Sequence, residues 1–144
     1  GVGALLAELG DLHEMPGVAT INGSPLFAAL DPTRPLALIG RGDPDRHRAT
    51  ASALEGALAR LAGIRPSSGG ARWPIVDELT VAARLARQGA WRLARRARAD
   101  HPDDAAMAAD AAECVALQRE MWLRTSRPGG LEDSLRHLPH PPPA

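Results

Sequence analysis

Residues 79–97 read Leu79-Thr80-Val81-Ala82-Ala83-Arg84-Leu85-Ala86-Arg87-Gln88-Gly89-Ala90-Trp91-Arg92-Leu93-Ala94-Arg95-Arg96-Ala97, and this stretch decides the fold. Leu79, Ala83, Ala86, Ala90, Leu93 and Ala97 recur in alternating steps of four and three, the signature of one face of an α-helix. Small alanine side chains along that seam let a neighbouring helix come close. Arg84, Arg87, Arg92, Arg95, Arg96 and Arg98 decorate the remainder.

On the C-terminal side, His101-Pro102-Asp103 ends this helix and caps the next, and Asp103 and Asp104 complement a positive helix start. That next helix runs to about Arg124 with Met107, Ala111, Cys114, Leu117, Met121 and Trp122 inward. Leu79, Leu93, Cys114 and Met121 are therefore expected in one shared core. Pro128-Gly129-Gly130 breaks the chain, Leu131 to Leu138 offers a short helix, and His140 opens a proline-rich tail.

On the N-terminal side, Arg65 to Ala71 (R-P-S-S-G-G-A) is the most linker-like stretch. Before it, Asp43-Pro44 supplies a cap and a first-turn proline for a helix carrying Leu54, Leu58, Leu61 and Ala62 as far as Gly63. Gly1 to Glu14 reads as an amphipathic helix on Leu5, Leu6, Leu9 and Leu12, stopped by Met15-Pro16-Gly17. Ser24-Pro25 starts one or two further turns to Leu30, and Pro32, Pro35 and Gly40 oppose a helix over Asp31–Gly42, where Leu36–Ile39 could extend briefly. The expected fold is all-α. An antiparallel three-helix bundle (43–138) follows a short helix and irregular segment (1–42) and precedes a disordered tail (139–144).

Composition sets outer bounds. With 144 residues, the chain cannot hold a complete (β/α)8 barrel, which takes about 250. Seventeen basic residues, all arginine, balance seventeen acids, so net charge favours neither nucleic acid nor an anionic membrane. Residues 65–100 are nonetheless basic and both flanks acidic, which favours pairing between antiparallel helices over an open arginine stripe for nucleic acid. The lone Cys114 excludes an internal disulfide framework and a multi-cysteine metal site. No apolar run reaches the roughly 18 residues of a membrane span, and no leader precedes the first helix. The cytoplasm is thus the default compartment, though the sequence leaves it open. Gly1 at the first position suggests a piece of a longer protein.

Residue patterns with catalytic potential have bland readings. Asp77-Glu78 follows Trp73-Pro74 at a helix start, where acids complement the dipole, and adjacent helical positions diverge by about 100°, unlike a glycosidase pair. His137 and His140 are separated by Pro139, and no further ligand cluster lies near them. Cys114 reads as a small core residue. Gly3, Gly10 and Gly69-Gly70 match no phosphate loop, and no nucleophile elbow exists. No catalytic, cofactor or metal residue is expected.

Two stretches carry a resemblance. Met121 to Ser134 (M-W-L-R-T-S-R-P-G-G-L-E-D-S) resembles the W-L-x-R-x-R-P-G-G-L-x-x-S ending of certain bacterial glycoside hydrolase family 20 proteins, the β-N-acetylhexosaminidases. Thr125 stands where that pattern has its first Arg. Leu6 to Leu12 with Asn22-Gly23-Ser24-Pro25-Leu26-Phe27 is similar to the L-x-x-L-G and N-x-S-P-L-F segments that follow the family's barrel. In that family a barrel Asp-Glu pair works with the substrate's acetamido group; Asp77-Glu78, opening a helix, is not that pair. The resemblance implies a helical region behind a catalytic barrel, itself non-catalytic, whose partners are that barrel and a possible second copy. The alternative is a free-standing helical interaction module. Within either reading, Arg127, Pro128, Gly129, Gly130 and Leu131 form either a helix terminator or a docking turn.

Overall fold

The structure is a computed structural model, and it describes residues 1–20, 23–32, 39–64 and 74–139. The helices are α1 (Val2–Asp11), α2 (Pro25–Leu30), α3 (Pro44–Gly63), α4 (Pro74–Arg96), α5 (Asp104–Thr125) and α6 (Leu131–Arg136), with a 3-10 turn at Leu12–Glu14. No strand occurs among the described residues. The fold is all-α, built on packing among α3, α4 and α5. The segments 65–73, 33–38 and 140–144, which include the linker, most of the brief extended stretch and most of the tail, lie outside the described residues; Pro139 is buried.

Local sequence explains the starts of α2, α3 and α5. The Ser24 hydroxyl accepts from the Leu26 amide at 3.2 Å, Asp43 from Asp45 at 2.9 Å and Asp103 from Ala106 at 2.8 Å. These caps satisfy amides that have no partner within the helix. Pro25 and Pro44 occupy first-turn positions, where a missing N–H costs nothing.

The central element is α4. α3 and α5 each pack on α4 rather than on one another, and the short α2 forms a further wall against it. Helix α4 is accordingly buried around most of its circumference, including Val76, Leu79, Val81, Ala83, Leu85, Ala90 and Leu93. A helix buried on one side needs one apolar stripe; one surrounded by neighbours needs several.

One residue permits this arrangement. A Cβ placed on Gly89 would lie 2.7 Å from the Leu26 carbonyl carbon and 2.9 Å from its Cα. The α2 backbone therefore lies directly on the α4 backbone. No side chain fits between them.

The apolar residues form two clusters. Leu5, Leu12, Leu26, Leu54, Leu61, Val76, Leu79, Ala83, Ala90, Leu93 and Met107 belong to the first. Leu30, Val81, Leu85, Cys114, Leu131, Leu135 and Leu138 form the second, with Leu117, Met121 and Trp122 half-buried against it. This corrects the expected shared core. The Leu79–Leu93 seam faces α1, α2 and α3, whereas Cys114 and Met121 meet the opposite face of α4 through Val81 and Leu85. The seam also stops short, since α4 ends at Arg96 and Ala97 is only half-buried.

Two glycines give opposite predictions. Gly89→Ala drives a methyl into backbone and is expected to cost more than the roughly 1–3 kcal/mol of ordinary overpacking. Gly56, exposed on α3, has nothing within 4 Å of an added Cβ; Gly56→Ala should stabilise by about 0.5–1 kcal/mol. Thermal melts of both variants, at about 2–4 °C per kcal/mol for a chain of this size, check the pair. An unchanged midpoint in Gly89→Ala would remove the close contact from the account.

Candidate functional site

The turn singled out by the sequence is well built. Helix α5 ends at Thr125, and the Trp122 indole Nε1 donates to the Arg127 carbonyl at 2.8 Å, fixing the chain as it leaves the helix. Gly130 caps α6 at φ +85°, a left-handed conformation that favours glycine. Leu131 is 4% exposed and anchors the second cluster. The cap of α6 is thus Gly130, with no side-chain cap hydrogen bond.

The Arg127 side chain is exposed and forms no hydrogen bond or ion pair among the described residues. Its two acidic neighbours are engaged elsewhere. Glu132 pairs with Arg119 at 2.8 Å, and Asp133 pairs with Arg136 at 2.7 Å. Beside this turn, Leu123 is 52% exposed, the largest exposure among the big apolar side chains of the described residues.

Between α4 and α5 lies a polar network of the kind the charge pattern favours, its member residues not singled out by the sequence. Arg84 contacts Asp110 at 2.9 Å and Glu113 at 2.5 and 2.6 Å; Arg87 reaches Asp110 at 2.6 Å. The fully buried Gln88 donates to Asp110 at 2.7 Å and to the Met107 carbonyl at 3.0 Å. Arg87 also stacks 4.4 Å over Trp91. Burial pushes the Asp110 carboxyl up, but hydrogen bonds from Arg84 and Gln88 and the charges of Arg87 and Arg84 outweigh it and hold it below its ordinary range. The Arg84 hydrogen bond holds Glu113 down as well. Burial first, then the Asp110 charge, pushes the Cys114 thiol up to about 12, so it is no nucleophile near neutrality. The helix spacing of these residues was legible; their convergence across two helices was not.

A third feature is a cavity of about 520 Å3 bounded by α2, α4, α5 and α6. Phe27, Leu30, Leu85 and Leu138 supply apolar wall, and Gln118, Ser134, Asp31 and His137 supply polar atoms. His137 Nδ1 lies 3.2 Å from Asp31 Oδ2, joining positions 106 apart in sequence.

The other sequence candidates stay apart. Asp77 pairs with Arg124 at 3.5 Å in the first turn of α4, and Glu78 is its half-buried neighbour on that helix. His140 lies outside the described residues. Among the described residues no group of three or more His, Cys, Asp or Glu side chains is placed to hold a metal ion, and no helix is long and apolar enough to cross a membrane. No family model, curated protein or solved structure matches this chain.

Two measurements probe the network. Asp110 and Glu113 titrate lower in the folded than in the unfolded chain, so their stabilisation is complete above the ordinary carboxylate range and is lost as pH falls through it. Asp110→Asn should flatten stability between about pH 5 and 2, and Asp110→Ala, which takes the carboxylate from Arg87 and Gln88 while Arg84 keeps Glu113, should cost about 1–3 kcal/mol by urea unfolding. Cys114 should resist a disulfide reagent in the native chain and react once urea unfolds it. Rapid native labelling would contradict its placement.

Proposed function

We propose that this chain is a helical accessory domain of a β-N-acetylhexosaminidase-like glycoside hydrolase. It docks through the turn Arg127-Pro128-Gly129-Gly130-Leu131 onto a catalytic body and does no chemistry itself. The observation that carries this reading is the state of Arg127. Its backbone is held by Trp122 and its neighbour Leu131 is buried, so the turn is rigid. Its guanidinium nevertheless projects unpaired while the adjacent acids serve other arginines. A residue needed only to terminate α5 would gain from covering the helix's last carbonyls or from meeting Glu132 or Asp133. An unmatched guanidinium on an anchored turn, four positions after exposed Leu123, suits a carboxylate and an apolar contact on another body. The resemblance of residues 121–134 and of residues 6–12 and 22–27 to family 20 proteins supports the identity of that body. Asp77 and Glu78 open one helix, so the reading assigns the acid pair of the reaction to the catalytic body.

Recovering the coding sequence upstream of Gly1 tests the parentage directly, because a barrel-sized frame should continue into it. A stop codon or an unrelated domain there defeats the reading. The isolated chain should give no turnover of an aryl N-acetyl-β-glucosaminide; turnover abolished by Glu78→Gln would overturn the non-catalytic assignment. In the chain joined to its catalytic body, Arg127→Ala should lower the unfolding midpoint through loss of a charged hydrogen bond, about 1.5–3 kcal/mol. In the isolated chain the same change should stay within about 0.5 kcal/mol. Equal effects in both contexts would make Arg127 a local structural residue.

A further inference from the structure

The cavity between α2, α4, α5 and α6 is independent of the docking turn, and its lining has the composition of a ligand site. Its volume of about 520 Å3 falls within the roughly 300–1,000 Å3 typical of small-molecule pockets. Phe27 is 48% exposed at the mouth, while Leu30 and Leu138 close the interior at 1% and 9%. The polar atoms gather where α6 meets the end of α2. Asp31 keeps only 14% of its side chain exposed, whereas His137 keeps 60%.

The chemistry of the couple follows from who can donate. A carboxylate only accepts, so the hydrogen between the two sits on His137 Nδ1, 3.2 Å from Asp31 Oδ2. In the neutral ring that tautomer makes Nε2 the acceptor. Gln118 and Ser134 add hydroxyl and amide groups on the same lining. A carboxylate head at neutral pH has no hydrogen to donate to the Nε2 acceptor.

We infer that this cavity binds a small amphiphile with an apolar body and a hydrogen-bond-donating head, a hydroxyl or an ammonium, the body lying on Phe27, Leu85 and Leu138 and the head donating to His137 Nε2. Three probes with one body separate the possible heads: 4-phenyl-1-butanol, 4-phenylbutylamine and 4-phenylbutyrate, each titrated into the full chain and followed by the NMR resonances of the His137 imidazole. The alcohol, the amine or both should shift Nε2 saturably, and the carboxylate should bind at least tenfold more weakly. His137→Ala should weaken the binding of the donating probes at least tenfold. Ser134→Leu, which extends a side chain into the cavity from a half-buried position on α6, should block them in a chain whose circular dichroism is unchanged. The inference fails if no probe perturbs His137, if the carboxylate binds as well as the others, or if the folded Ser134→Leu chain binds undiminished.

Discussion

Where α2 crosses α4, the Leu26 peptide lies against Gly89 with no side chain between the two backbones. Much else depends on that contact. It brings Leu26 and Ala29 into the first cluster and Leu30 into the second, so one short helix feeds both sides of the core. It also commits α4 to a central position. A helix with neighbours on several sides cannot keep a broad charged face, and its arginines must either reach past the packing or be met inside it. Arg95 and Arg96 take the first course, pairing with Asp104 and with the Ile39 carbonyl near the helix end. Arg84 and Arg87 take the second, and α5 answers them with Asp110 and Glu113.

The α4–α5 contact is therefore partly ionic, with consequences for specificity. Buried ion pairs add little net stability over apolar packing, because desolvation offsets attraction, yet stranding one partner is expensive. Sliding α5 by one residue would turn Asp110 away from Arg84, Arg87 and Gln88 at once. Helix α5 needs such a constraint. Only Met107, Ala111 and Cys114 of its 22 residues are buried, too narrow a stripe to fix its rotation by packing alone.

The sequence made some of this legible and concealed the rest for physical reasons. Ser24-Pro25, Asp43-Pro44 and Asp103 located helix starts because a cap acts on amides two or three residues away, so its signal is local. The all-α class followed from the same kind of information, helical spacing without strand alternation. The direction in which a seam faces is not local. The Leu79–Leu93 stripe reads identically whether it meets α5 or α3, and the second stripe on Val81 and Leu85 is masked by interleaved arginines. Nothing local marks Gly89, since its value lies in an atom that Leu26, 63 positions earlier, leaves no room for. Asp31 and His137 were equally hidden, one in a proline-rich loop and the other read only as half of an unlikely metal pair.

Stability and surface are divided unevenly along α5. Its first three turns carry the Asp110 network and the buried Met107, Ala111 and Cys114. Its last two turns hold half-buried Met121 and Trp122 and exposed Leu123. That end remains helical because the turn beyond it is anchored: Trp122 donates to the Arg127 carbonyl, Gly130 takes the left-handed conformation, and Leu131 is buried against the second cluster. The anchor uses the indole N–H, a carbonyl, a glycine and a leucine, and uses no guanidinium. A terminator of this construction would hold equally well with alanine at position 127. The charge at Arg127 therefore takes no part in the anchor, and four positions earlier Leu123 is the most exposed leucine among the described residues.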